Sequence, residues 1–308
     1  MFHIGLCFDL FILTFELGGG INIVVYNVLM KTFLYSKLIL ILLCVSTHKV
    51  QAQDSLINHN NESEVYTLKP AVDIPIIAVA GGWSYYALSK IYKKDSTAIE
   101  DILSLNKNDV NGFDRWAAGV YHPDAELESD KLFYGAMPLP LLLLLDKEIR
   151  KDALKIAVLY TEALSITGSL YTSSTYFNRH RPSNYSDDLT VEQKRSGNQR
   201  NSFFAGHVAL VATSTFFTAK VYADYHPHSK FKWVLYGVAI GATGATGYLR
   251  HRAGKHFPSD IILGTAVGTL SGILVPQMHK TKRLQDRKVL IFPFTGESHG
   301  ITAIYKFR

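Results

Sequence analysis

Six apolar stretches recur along the chain: Ile74 to Ile91, Leu132 to Leu145, Ile156 to Phe177, Phe204 to Tyr222, Phe231 to Leu249 and Ile261 to Pro276. The longer ones approach the roughly 20 residues that cross a bilayer as a helix. Runs of this length predict helices, which must bury their apolar faces against one another or against lipid. The expected fold is therefore all-α, a bundle of about six long helices, membrane-embedded or, as the alternative, soluble in the periplasm. Small residues in Gly237 to Tyr248 (GVAIGATGATGY) and Gly264 to Gly272 (GTAVGTLSG) predict close helix contacts.

The ends of the chain differ from this pattern. From Met30 a basic start, the apolar run Leu38 to Val45, and small residues Val50 and Ala52 before Gln53 have the layout of a signal peptide cleaved after Ala52. An uncleaved anchor is the alternative for residues 1–52. Residues 53–130 read as a polar linker, a first apolar helix and the polar connector Leu105 to Asp130. Residues 131–277 form the helical core, and 278–308 a basic linker followed by β-branched and aromatic runs that predict a short C-terminal β-hairpin. The basic run His279 to Lys288 favours the cytoplasmic side for the end of the last helix. A cell-envelope protein of bacterial type follows, in the inner membrane with its working face towards the periplasm.

A formal charge of +6 fits an anionic partner. No zinc-finger spacing, RNA-binding aromatic signature or dense basic helix is present, so nucleic acid is not the expected partner. The only cysteines, Cys7 and Cys44, lie in the N-terminal stretch, which leaves the core without disulfide or thiolate chemistry.

Three polar clusters sit at the ends of the expected helices: Asn178 to Pro182 (NRHRP), Ser202 to His207 (SFFAGH) and Arg250 to Asp260 (RHRAGKHFPSD). If consecutive helices run up and down, all three fall on one face of the bundle. Pro258 suits the first turn of a helix, which sets His256 just before a helix N-terminus, where free amides and the dipole favour an anion. Asp260 is placed to bend back towards His256, fixing one imidazole nitrogen and leaving the other to attack. Arg181 and Arg250 offer planar donors for phosphate oxygens. Gly206 lets backbone approach the phosphate, and His207 can protonate a leaving oxygen. Arg179, Lys255 and Arg252 are accessory cations or solvated rim charges. No carboxylate cluster accompanies these clusters, so no metal is expected there.

With these residues in place, the chain over roughly residues 130–276 resembles the type-2 phosphatidic acid phosphatase superfamily, which also contains bacterial class A acid phosphatases and vanadium haloperoxidases. That family's signature is K-x6-R-P, P-S-G-H and S-R-x5-H-x3-D. Arg250, His256 and Asp260 match the third element, with Leu249 in place of Ser. Gly206 and His207 match the second, where Phe204 and Ala205 replace Pro and Ser. Arg181 and Pro182 match the first, but Ser174 stands where the family has Lys. The resemblance implies His256 as a nucleophile forming phosphohistidine, Asp260 as its orienter, His207 as general acid, and Arg181 with Arg250 as phosphate ligands. It implies no metal or cofactor, and vanadate as an inhibitor.

The function expected is metal-independent removal of phosphate from a lipid phosphomonoester or pyrophosphate, with the membrane and a phosphorylated lipid as partners. The alternatives are a non-catalytic membrane protein that keeps the fold, or a vanadium-dependent haloperoxidase.

Overall fold

The computed structural model describes residues 64–281, 289–295 and 299–305. The signal peptide or anchor of residues 1–52, its cleavage after Ala52, and the basic linker 282–288 lie outside the described residues.

The described chain is mostly helical. Its α-helices are α1 (Pro70–Tyr92), α2 (Ile99–Leu103), α3 (Asp124–Ala136), α4 (Lys147–Lys151), α5 (Ala153–Ser173), α6 (Val191–Arg195), α7 (Gly206–Tyr225), α8 (Phe231–Arg252) and α9 (Pro258–His279). Two strands, β1 (Val289–Thr295) and β2 (His299–Tyr305), pair antiparallel with Val289 opposite Tyr305. Five of the six expected long helices form. The Leu132 to Leu145 stretch does not: α3 stops at Ala136, and Leu139–Leu145 is a 3₁₀ segment. Pro138 and Pro140 lack the amide a continuing helix needs, and their rings crowd the preceding turn.

Helix α7 is the centre of the bundle, in contact with α3, α5, α8 and α9, and most of its residues are buried. A helix enclosed on all sides needs little amphipathic contrast, as its mix of Val, Ala, Thr and Phe reflects. The glycines of α9 explain how close α9 comes. A Cβ on Gly264, Gly268 or Gly272 would lie 2.6, 2.0 or 2.7 Å from the carbonyl oxygens of Ala205, Ala209 and Thr213. The small-residue stripe of α9 is thus a contact surface. The α8 stretch is not: Gly237, Gly241 and Gly244 face open space, and only Gly247 meets a neighbour, Ile261.

Helices α1, α5 and α9 are long and apolar enough to cross a bilayer. Their outer faces carry exposed side chains such as Ile74, Val79, Trp83, Leu170, Ile262 and Leu270. An apolar belt of this kind fits membrane association.

Candidate functional site

The three polar clusters meet at one end of the bundle. Ser202 N–H donates to the Arg179 carbonyl at 3.1 Å, and Ser183 N–H to the Gly254 carbonyl at 3.1 Å. Ala205 N–H donates to the Asp260 carbonyl at 3.2 Å. Local sequence explains the turn that presents His256. Gly254 sits at φ +66° and ends α8, a conformation glycine adopts without penalty, and a Cβ there would also strike the Val120 carbonyl. Pro258 then opens α9, with Phe257 as the N-cap.

His256 is buried, and its Nδ1 lies 2.5 Å from the Ser202 carbonyl oxygen. A carbonyl only accepts, so Nδ1 carries the proton and Nε2 keeps its lone pair. Burial, then Arg181 and Arg250, hold the imidazole well below its ordinary pKa, so it is neutral near pH 7. The expected direct contact between Asp260 and this ring is replaced by an indirect one. Asp260 accepts from Ser202 Oγ at 2.7 Å and from the Phe257 amide at 3.0 Å, and it pairs with Arg179. A carboxylate three residues beyond the N-cap binds the N-cap amide, as in a capping box. Asp260 therefore acts on His256 through Ser202 and through the entry to α9.

Arg250 is 5% exposed, and its Nε and Nη1 make no hydrogen bond. It forms an ion pair with Asp130, Nη1 lying 3.4 Å from Oδ1. Arg181 holds itself by Nε to the Asn198 carbonyl at 3.0 Å and Nη2 to Asn198 Oδ1 at 3.1 Å. Burial, then the neighbouring Arg250, push Arg181 down to about 10. Two guanidinium groups pressed together this way are costly unless an anion joins them. His207, in the first turn of α7, has Nε2 3.3 Å from Asp130 Oδ1 and its ring against Phe133. Burial, then Arg250, lower it to about 4.

The accessory cations divide. Lys255 pairs with Glu126 at 2.8 Å, and burial, then Arg181, lower it to about 8, which puts it in the field of the arginines. Arg179 is committed elsewhere: it binds Asp114 at 2.6 Å, Ser259 Oγ at 2.9 Å and Asp260, and lies over the Phe257 ring. Its work is to tie the connector to the start of α9. Arg252 is exposed beside Tyr248 and stands away from the cluster. Ser174 is buried and donates to the Tyr171 carbonyl at 2.5 Å, closing the end of α5. Gly206 is needed for a second reason, since a Cβ there would lie 2.4 Å from the Tyr171 ring.

Sequence reasoning missed four carboxylate or hydroxyl partners: Asp114, Glu126, Asp130 and Ser202. Asp114 binds the Ser259 amide at 3.0 Å, and burial acting to raise its pKa is outweighed by the hydrogen bonds it accepts from Ser259, Asn111 and Arg179. Glu126 and Asp130 are four residues apart on α3, hence on one face of that helix. Pro123 followed by acidic residues is a helix-start signature in the connector and marks where that face begins.

Buried Arg250, half-buried Arg181 and two low-pKa histidines gather where α7 and α9 begin, an arrangement suited to an oxyanion on a helical scaffold. Comparison points to the same class: residues 154–284 match the model of the PAP2 superfamily. No curated protein and no solved structure matches the chain. The family supports a phosphatase-type enzyme.

Proposed function

We propose that the protein removes phosphate from a lipid phosphomonoester or pyrophosphate through a phosphohistidine at His256, without a metal in the chemical step. The observation that carries this reading is Arg250: a buried guanidinium with two nitrogens lacking hydrogen bonds, beside a neutral histidine. Asp130 balances the Arg250 charge at 3.4 Å, but buried donors without hydrogen bonds cost about 1–3 kcal/mol each, more for a charged group, which an arriving oxyanion would relieve.

A bound phosphoryl group would take its equatorial oxygens to Arg250, Arg181 and Lys255, and to the amides at the start of α7. His256 Nε2 attacks phosphorus, the bond to the leaving oxygen breaks, and His207 gives that oxygen its proton. Water then attacks the P–N bond, His207 takes the water's proton, and inorganic phosphate leaves with His256 neutral again. Asp130 steadies the imidazolium of His207 before the first step and after the second, and His207 is neutral while the phosphohistidine stands. Asp260, Ser202 and Arg179 position the nucleophile and do not touch the substrate.

A lipid substrate is favoured by the apolar outer faces of α1, α5 and α9. The basic run from His279 supports a periplasm-facing site in an inner membrane. The test is phosphate release by the detergent-purified protein from phosphatidic acid and p-nitrophenyl phosphate in EDTA. Turnover that vanadate inhibits competitively is expected, because a trigonal-bipyramidal oxyanion mimics the transition state. Strict Mg²⁺ dependence, or indifference to vanadate, would contradict the proposal.

A further inference from the structure

A second cluster of ionisable groups lies far from the candidate active site. The 22-residue α9 is about 33 Å long; it starts at the site and ends at His279. There His279 meets Asp73 of α1 and Glu162 of α5, all three buried. His279 Nε2 is 3.1 Å from Asp73 Oδ1 and 3.6 Å from Glu162 Oε2. One donor atom from each residue lies within 4.8 Å of the others.

Three features separate this cluster from a chance ion pair. His279 Nδ1 is 2.8 Å from the Val275 carbonyl, so Nδ1 holds the ring proton and Nε2 turns its lone pair into the cluster. Glu162 is 4% exposed, and its Oε2, aimed at His279, has no hydrogen-bond partner. A carboxylate in a helix able to cross a membrane is costly unless it is ligated or paired. Protonating His279 would give Asp73 a donor and still leave Glu162 without one. A divalent cation satisfies all three and cancels the two carboxylate charges.

The backbone around the cluster is already fixed. Thr67 N–H donates to the His279 carbonyl at 2.8 Å and Thr281 N–H to the Val65 carbonyl at 2.9 Å. Asp73 is further held by the Lys69 amide, which donates to Oδ2 at 2.6 Å. The start of α1 is thereby clasped to the end of α9. A tetrahedral ion about 2.0–2.2 Å from each donor needs donor separations of about 3.4 Å, close to the 3.1 and 3.6 Å that separate His279 Nε2 from the two carboxylates.

We infer that Asp73, Glu162 and His279 bind one divalent transition-metal ion, zinc or manganese in type, which staples α1, α5 and α9 at the end opposite the phosphate site. The imidazole ligand favours such an ion over Mg²⁺ or Ca²⁺, which prefer oxygen alone.

The test uses the full-length, tag-free protein in detergent, stripped with EDTA, dialysed and titrated with Zn²⁺ or Co²⁺. One equivalent of tightly held metal is expected, with visible Co²⁺ absorption. A rise in Tm of roughly 5–10 °C is expected at a hundredfold excess over Kd. Glu162→Gln and His279→Gln should each lose the bound ion, the cobalt spectrum and the Tm response. Should either fail to fold, Asp73→Asn replaces it, and the wild-type stoichiometry decides alone. A wild-type protein that holds no equivalent of zinc or cobalt would overturn the inference and leave a proton-shared imidazole–carboxylate group. So would metal retained in full by His279→Gln.

Discussion

The two ends of α9 carry opposite versions of one arrangement. At its start, cations gather: buried Arg250 has nitrogens without hydrogen bonds, and half-buried Arg181 and Lys255 have pKa values lowered first by burial and then by the neighbouring guanidinium groups. At its end, two buried carboxylates share one imidazole, and Glu162 Oε2 has no donor. Burial makes the same demand in both places, since charge without a counter-charge is costly. The sign of the excess then tells what each end binds, an oxyanion at the first and a cation at the second.

The contrast can be broken most forcefully at His207. His207→Ala should slow hydrolysis of an alkyl phosphate by about 100- to 10,000-fold, the usual worth of general acid catalysis. The loss on p-nitrophenyl phosphate should be far smaller, because its leaving group scarcely needs a proton. The pH dependence has a definite sign. With His207 at about 4 in the free protein, its acid form declines as pH rises, so kcat/KM for the alkyl ester should fall above that point, and His207→Ala should remove this limb. Equal losses on both esters would show that His207 is not the acid.

Arg250→Met comes next. Removing one preorganised donor to the transition state costs about 100- to 1,000-fold in turnover. Phosphate or vanadate should raise the Tm of the wild type and not of the variant. An anion-dependent Tm rise that survives the substitution would place the oxyanion elsewhere.

Lys255 should have a milder effect, confined to alkaline solution. Its pKa of about 8 means that its charge, present below pH 8, is lost above it. KM should then rise by about tenfold, the worth of one exposed-side charge-assisted hydrogen bond, and Lys255→Arg should carry the limb to higher pH. A KM flat to pH 9 would remove Lys255 from the site. The smallest effect sharpens the comparison from the other end. EDTA should lower Tm through the Asp73, Glu162 and His279 cluster yet leave kcat at 25 °C within about twofold, because the ion lies about 30 Å from the reacting phosphorus.

What the sequence revealed and what it hid follow from the range of the interactions. Helix ends announce themselves locally, so Pro258 after His256 marked where α9 begins, and alternation of helix direction predicted the other two clusters beside it. Pro138 and Pro140 were equally local, and they explain why the Leu-rich stretch is not a long helix. The partners were not local. Asp114 reaches Ser259 across 145 positions, and nothing near either residue marks the pairing. Asp260 likewise had a visible position but not a visible partner: a backbone carbonyl, that of Ser202, took the imidazole instead. Arg179 read as an accessory cation or a solvated rim charge, whereas the buried carboxylates of Asp114 and Asp260 commit it to themselves. The Asp73, Glu162 and His279 cluster draws one residue from each of three helices, which no spacing in the chain displays.

The central claim is that His256 becomes phosphorylated, and trapping the enzyme during turnover tests it most directly. The wild type, quenched at alkaline pH with phosphate-labelled p-nitrophenyl phosphate in EDTA, should carry acid-labile, base-stable label on the peptide containing His256. His207→Ala should accumulate more of it with this substrate, because hydrolysis of the P–N bond loses its base. His256→Ala should carry none, and its turnover should fall by at least about 10,000-fold while the protein remains folded. Full phosphatase activity in folded His256→Ala, or label found on another residue, would contradict the phosphohistidine mechanism.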